Sequence, residues 1–407
     1  MTITLTSGRD VETLTVSDEE ILALGGDDVV TMRGAGNTLD GGAGDDTLRV
    51  ADGRNTAIGG AGDDVLTTSA IASLDSSSTA TATNALDGGA GDDVLTATAT
   101  ATGSRRAAAA VNSLDGGKGD DVLTASATAT GTFAAGTTND LDGGAGDDVL
   151  TASATTTSNA GPATVTNSLA GGAGDDRLIA VASARSSDTA SSATNDLDGG
   201  AGSDALTAFA AAGGGPAATA ANTLDGGAGD DVLTASVIAN ASPSESSDAT
   251  NTLTGGAGDD TLLAEIIGET GSSRLAGGTG DDHLTVIGGT GNTLDGGRGN
   301  DALVGRSGDD ALTGGTGEDN FVFLGSGAPL GLDEILDFRP GEDVIELRGF
   351  AGLDDFGDLA GAIAVVGDDT VIELSGAFGS APGAATITVT DVIGLAALDF
   401  VFSDATV

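Results

Sequence analysis

Leu86-Asp87-Gly88-Gly89-Ala90-Gly91-Asp92-Asp93-Val94-Leu95 recurs along the chain almost unchanged. The first glycine of each copy stands at Gly41, Gly59, Gly88, Gly116, Gly143, Gly171, Gly199, Gly226, Gly255, Gly277, Gly296, Gly305 and Gly314. Successive copies lie 18, 29, 28, 27, 28, 28, 27, 29, 22, 19, 9 and 9 residues apart. A decayed copy ending in Gly26-Asp27-Asp28-Val29 precedes them. A period of this size points to a solenoid, in which each repeat is one coil that buries its apolar face only against its neighbours.

Between copies the length varies, and the variable part carries Pro162, Pro216, Pro243, Gly213-Gly214-Gly215 and Arg105-Arg106, which are turn and loop signals. Each long repeat therefore reads as strand, variable loop, strand and fixed turn. After Asp93 the residues alternate, so that Leu95, Ala97 and Ala99 share one face and Thr96, Thr98 and Thr100 the other. Thr124, Ser126, Thr128 and Thr130 continue the outward rows one coil on, and Ile179-Ala180-Val181 and Phe209 break them. The returning strand ends in Asn-x-Leu, with Asn84, Asn112, Asn139, Asn167, Asn195, Asn222, Asn251 and Asn292 in the same place. Their parity matches the inward Leu. They either stack as an internal amide ladder, which would satisfy groups costly to bury alone, or merely start the turn. The shared register favours the ladder.

Composition narrows the partners. The 407 residues include 69 Gly and 10 Phe, with no Trp, Tyr or Cys, so large side chains cannot build the core. The formal net charge is −48. A surface of that sign repels nucleic acid and anionic membrane alike, and the compact state needs cations. No run of eighteen apolar residues occurs, so no membrane insertion is expected. Met1-Thr2-Ile3-Thr4-Leu5 lacks the basic and apolar regions of a cleavable signal peptide.

The fixed turn has a chemistry. Its glycines let carbonyl oxygens converge, its Asp adds a charged oxygen, and Ca²⁺ takes six to eight oxygen ligands at roughly 2.3–2.6 Å. One turn supplies too few. Two turns stacked about 4.8 Å apart supply enough, so ions are expected between neighbouring turns.

On these residues the sequence resembles the RTX (repeats-in-toxin) β-roll family, whose nonapeptide Gly-Gly-x-Gly-x-Asp-x-U-x binds Ca²⁺. The resemblance implies an all-β parallel β-solenoid. It implies metal ligands at the sixth-place Asp46, Asp64, Asp93, Asp121, Asp148, Asp176, Asp204, Asp231, Asp260, Asp282, Asp301, Asp310 and Asp319. Carbonyls come from the glycine backbones of the same motifs, Gly41, Gly59, Gly88, Gly116, Gly143, Gly171, Gly199, Gly226, Gly255, Gly277, Gly296 and Gly314 among them. The family usually repeats every nine residues and binds ions on both rims. Here only Gly296, Gly305 and Gly314 keep that spacing, so one main row of Ca²⁺ is expected on one rim. Extra acids before the glycines, Asp40, Asp87, Asp115, Asp142, Asp198, Asp225 and Asp295, alternate outward.

From Asn320 the Gly-Asp copies stop and most of the Phe appear: Phe321, Phe323, Phe338, Phe350, Phe356, Phe378, Phe400 and Phe402. A β-rich cap is expected there, closing the open edge of the last coil. The expected division is 1–36 for an N-terminal cap and decayed repeat, 37–319 for the solenoid and 320–407 for the cap. Residues 316–323, 333–345 and the ending Leu398-Asp399-Phe400-Val401-Phe402-Ser403 resemble the terminal region of serralysin-like type I secreted proteins. That resemblance implies export through type I secretion machinery and an extracellular location.

Catalysis is not expected. RTX enzymes place a catalytic domain before the repeats, which here begin by residue 23. The lone His283 occupies a variable motif place, and paired acids are already explained by calcium. A calcium-folded, self-associating structural protein is the favoured function. An ice-binding or adhesive solenoid using the Thr/Ser rows is the rival.

Overall fold

The computed structural model describes residues 2–74, 79–240, 246–268, 270–325, 330–374 and 385–403. Pro243 and Phe378 lie outside the described residues. The chain divides into two compact units, Met1–Asn222 with Ala239–Asp248, and Thr223–Ile238 with Ala249–Val407.

In the first unit, strands alternate between two sheets, and every strand pair is parallel. Thr2–Thr4, Glu20–Leu22, Asn37–Ala43, Asn55–Ala61, Ala80–Ala90, Ala108–Lys118, Ala135–Ala145, Ala163–Ala173 and Ser191–Ala201 follow one another in one sheet. The facing sheet runs from Val11–Thr15 through Val94–Gly103 to Ala205–Gly213. Early coils take 18 residues, as in the pairing of Val29 with Thr47, whereas Val94 pairs with Val122 in a 28-residue coil. The extra residues lengthen the strands and form the variable loop, where Arg105 and Arg106 are exposed.

The alternation sets the core. Leu95, Leu123 and Leu150 stack on successive coils, and Ala97, Ala99 and Ala101 are buried beside them. Alanine projects so little that the two sheets can close to a thin layer. Thr96, Thr98 and Thr100 face outward, and their register partners are Thr124, Ser126 and Thr128.

The asparagines form the ladder. Asn84 donates to Asn112 Oδ1 at 2.8 Å, Asn112 to Asn139 at 2.8 Å, Asn139 to Asn167 at 2.9 Å, Asn167 to Asn195 at 2.8 Å and Asn195 to Asn222 at 2.9 Å. The second amide hydrogen crosses to the facing sheet, where Asn112 donates to the Ser126 carbonyl at 3.0 Å and Asn139 to that of Ser153 at 3.1 Å. Each amide thus links three strands. Asn139→Ala strips partners from Asn112, Asn167 and Ser153, and each orphaned buried group costs about 1–3 kcal/mol. The expected outcome is a loss of stability on the order of 3 kcal/mol in saturating Ca²⁺. Arg105→Ser with Arg106→Ser, on the exposed loop, should leave the melting temperature nearly unchanged. Thermal unfolding of the two variants side by side checks both, and equal melting points would refute the ladder's weight.

The second unit repeats the two-sheet arrangement with coils shortening to 18 residues, as Asn292 pairs with Asp310. Beyond Asp319 the parallel coils continue: Val344–Arg348 pairs with Asn320–Leu324 on one side and Phe400–Ser403 on the other. Gly331–Ile335 pairs with Ala385–Val389. An antiparallel set of Ile363–Val366, Asp369–Glu373 and Ala385–Val389 follows. Phe321, Phe323, Phe338, Phe350 and Phe400 are buried here, replacing the alanine layer with bulk. Among the described residues, no helix is long and apolar enough to cross a membrane.

Candidate metal centre

The sixth-place aspartates are buried, each 2 % exposed or less. Along each row, an aspartate spends one carboxylate oxygen on the coil before it. The Asp93 amide donates to Asp121 Oδ1 at 2.7 Å, and that of Asp121 to Asp148 Oδ1 at 2.7 Å. In the first unit this chain of bonds joins Asp28, Asp46, Asp64, Asp93, Asp121, Asp148, Asp176 and Asp204. In the second it joins Asp231, Asp260, Asp282, Asp301, Asp319 and Asp343. Asp28, from the decayed copy, and Asp343, from the cap, extend rows that the Gly-Asp pattern alone did not reach.

The other oxygen is left over. Oδ2 of Asp46, Asp64, Asp93, Asp121, Asp148, Asp176, Asp260, Asp282 and Asp301 is buried without a hydrogen-bond partner. The first glycine of each motif shows where it points. A methyl group on Gly88 would overlap Asp93 Oδ2 and lie 2.7 Å from the Gly116 carbonyl oxygen of the next coil. Gly41, Gly59, Gly116, Gly143 and Gly171 in the first unit, and Gly226, Gly255 and Gly277 in the second, stand in the same relation to their own Asp and the next motif's first carbonyl. Gly199, Gly296 and Gly314 occupy the same motif place, and at Gly296 and Gly314 the overlap is with Oδ2 of Asp301 and Asp319. This glycine is required for space. The second and third have positive φ, +105° at Gly89 and +136° at Gly91, where a side chain would be strained.

A buried carboxylate oxygen facing carbonyls across a stacked turn is an acceptor-only site. It holds no donor of its own, so a cation that takes several oxygens at once fits it. Among the described residues no three carboxylates or histidines converge on one point, so one carboxylate per turn and backbone carbonyls must share the work. Burial pushes the Asp64, Asp148 and Asp282 carboxyls up to about 7, against the opposing amide bond from the preceding coil. The same cause lifts Asp46, Asp93, Asp121, Asp176, Asp260 and Asp301 to about 6.

Asp310 is the exception among the thirteen. Its register partner is Asn292, whose amide donates to Asp310 Oδ1 at 2.7 Å, so it lies at the Asn end of the strand rather than at the Gly-Gly end. Nine residues advance the chain by half of an 18-residue coil, which carries the Gly305 motif to the other rim. There the Asp310 amide donates to Asp333 Oδ1 at 3.1 Å, and Oδ2 of both carboxylates lacks a partner. Burial, with the charge of Asp310, pushes Asp333 up to about 8.

A second ladder went unnoticed in the sequence. The fifth-place aspartates accept from the following coil, as when the Asp120 amide donates to Asp92 Oδ1 at 2.9 Å and that of Asp147 to Asp120 Oδ1 at 2.9 Å. They are exposed. Their signal was the doubled Asp-Asp in nearly every copy. His283 is exposed, and its ring Nε2 lies 3.4 Å from Thr285 Oγ1.

The RTX calcium-binding nonapeptide repeat profile matches residues 33–66, 81–99, 109–128, 133–154, 166–180, 218–236, 246–266, 264–286 and 287–321, about half of the chain. The chain belongs to the RTX calcium-binding repeat family. Its RTX copies coincide with the stacked turns described above. No curated protein matches it. Among solved structures it is similar to the AlgE6R3 subunit of the Azotobacter vinelandii mannuronan C5-epimerase, at 30% identity over 34% of this chain and 78% of that one, with a TM-score of 0.21. It is also similar to the extracellular lipase LipA from Serratia marcescens, at 16% identity over 72% of this chain and 40% of that one, with a TM-score of 0.15.

Proposed function

We propose that this RTX chain is a secreted, non-catalytic structural protein that folds around files of Ca²⁺ and then self-associates through it. The observation that carries the reading is the file of buried, donor-less Asp Oδ2 atoms beside glycine carbonyls. The ligands are the sixth-place aspartates from Asp46 to Asp310, Asp204 and Asp231 among them, and the carbonyls of the motif glycines. Ions lie between turns, mainly on the Gly-Gly rim. Residues 1–36 start the stack, 37–319 hold the metal and 320–407 close it and carry a type I export signal. Extracellular sites of this ligand type bind at roughly 10⁻⁴–10⁻³ M, so the chain stays unfolded in the cytosol and folds outside.

Self-association rests on the outward acids. Asp87, Asp115 and Asp142 are exposed and in register on successive strands. Partial burial and the neighbouring Asp115 charge raise the carboxyls of Asp87 and Asp142. A Ca²⁺ shared with a second copy relieves that repulsion, and many weak bridges sum strongly. Light scattering should show reversible assembly above a threshold Ca²⁺ concentration. Asp87→Asn, Asp115→Asn and Asp142→Asn together should raise that threshold at least severalfold without unfolding the coils. A monodisperse monomer at millimolar Ca²⁺ and high protein concentration would sink the scaffold reading.

Ice binding is the second reading. Thr96, Thr98, Thr100 and Thr102 stand in register with Thr124, Ser126, Thr128 and Thr130, and these with Thr151, Ser153, Thr155 and Thr157. The array ends where Ile179 and Val181, then Phe209, take the outward places. A monomer that shapes ice crystals would move the function to this face.

A further inference from the structure

The row in the second unit ends in a manner unlike its other turns. Val344 pairs with Asn320, and its amide donates to the Asp319 carbonyl at 2.8 Å. In that register Phe338-Arg339-Pro340-Gly341-Glu342-Asp343 lies over Gly314-Gly315-Thr316-Gly317-Glu318-Asp319. It is a motif turn in which the first two glycines have become Phe338 and Arg339. Gly341 keeps the positive φ, +82°, and Asp343 keeps the buried acidic place.

Arg339 supplies a positive charge where the turns of Asp260, Asp282 and Asp301 leave bare oxygens. Its Nη2 lies 2.7 Å from the Gly317 carbonyl, 3.3 Å from Asp319 Oδ2 and 3.5 Å from Asp343 Oδ1. Those are the third-glycine carbonyl and sixth-place oxygen of one turn and the sixth-place carboxylate of the next coil. In the turns of Asp260, Asp282 and Asp301 the equivalent Oδ2 has no donor. Asp343 Oδ2 is also used, accepting from the Arg339 backbone amide at 2.7 Å. The turn below is closed as well, since the Asp337 carboxylate accepts from the amides of Gly314 and Gly315, both at 2.8 Å.

We propose that the Arg339 guanidinium is a built-in cation that takes the place of the last Ca²⁺ between the Asp319 and Asp343 turns. This rests on the calcium reading above. An arginine stays charged at every working pH and donates in a fixed fork, so it satisfies the three oxygens without metal. The last turn therefore forms at low calcium and gives the preceding coil a template on which to stack. The file of ions ends at the turn of Asp301 because the next place is filled from within the chain.

The test counts ions and follows local protection in the full chain. Equilibrium dialysis with radiolabelled Ca²⁺ gives ions bound per chain at saturation. Hydrogen exchange in chelator reads the amides of Asp319 and Val344. In the native chain these two should be the best protected amides of the row when calcium is absent. Arg339→Gln should bind one more Ca²⁺ per chain and lose that protection unless Ca²⁺ is added. Arg339→Lys should keep the native ion count. If Arg339→Gln fails to fold even in saturating Ca²⁺ while Arg339→Lys folds with the native count, the charge is confirmed as the requirement. An unchanged count with retained protection in Arg339→Gln overturns the proposal, as does an Arg339→Lys chain that binds an extra ion or does not fold. A native chain that binds no Ca²⁺ at all refutes the calcium reading itself, and that result is read without either variant.

Discussion

At neutral pH in excess chelator, the chain is expected to lose most of its β-sheet circular dichroism signal and to regain it in millimolar Ca²⁺. The folded state holds a buried carboxylate at every turn, with neighbouring turns about 4.8 Å apart. Two like charges at that spacing repel by about 3 kcal/mol at an effective dielectric constant of 20. The repulsion recurs along each file, within a chain whose formal net charge is −48. Little opposes it. Ala97, Ala99, Ala125 and Ala127 are buried, but a methyl group removes little apolar area from water. Ordering the backbone costs about 1–2 kcal/mol per residue, which this thin layer does not offset. A divalent ion between each pair of turns reverses the sign of the interaction and supplies the missing stability. What survives in chelator should be the Phe-rich region around Phe321, Phe323 and Phe400, whose core does not depend on metal. An unchanged β spectrum in excess chelator would refute calcium-coupled folding.

Much of this was legible because period and parity are geometric. A fixed Gly-Asp turn every 27 to 29 residues dictates a coil, and alternation after Asp93 dictates which of Leu95 and Thr96 faces in. Asn112 shared the parity of Leu114, so its burial followed. Its second bond, to the Ser126 carbonyl, depends on the distance between two sheets, which no spacing encodes. The fifth-place Asp92 was visible but silent. Periodicity assigns a face, whereas its partner is a backbone amide one coil away. Asp310 was assigned by motif alone, and the half-coil advance set its rim. Asp343 and Arg339 were hidden because Phe338 and Pro340 erase the glycine signature while the backbone keeps the turn. Phe338 packs against Phe321, with ring centroids 6.0 Å apart, so bulk replaces the metal's role in closing the stack.

Acid should do part of the work of calcium. Burial first, with neighbouring aspartates adding to it, holds Asp64, Asp148 and Asp282 at about 7 and Asp93, Asp121 and Asp176 at about 6 in the folded chain. In the unfolded chain an aspartate titrates near 3.9. Between those values the metal-free folded state binds more protons than the unfolded state, so its stability rises as pH falls. The contribution is complete below about 4 and is lost as pH rises through 6 to 7. Metal-free protein taken from pH 8 to pH 5 should therefore gain β signal. Stopping at pH 5 keeps clear of the isoelectric point near 4.1. With calcium present the same protons compete for Oδ2. The Ca²⁺ concentration at half-folding should still be lower at pH 5.5 than at pH 7.5, because the unfolded chain and the metal-bound chain are deprotonated at both values while protons add to the folded population only at the lower one. Competition weakens Ca²⁺ binding to the folded chain, since a ligand must be deprotonated to bind, but the competing protons themselves hold the chain folded. Circular dichroism of the metal-free chain across this range, with calcium titrations at the two pH values, measures both effects. A metal-free chain as disordered at pH 5 as at pH 8 would mean that burial of the aspartate file is not what keeps it unfolded. A calcium midpoint that is unchanged or higher at pH 5.5 would mean that protons on these carboxylates do not stand in for the metal.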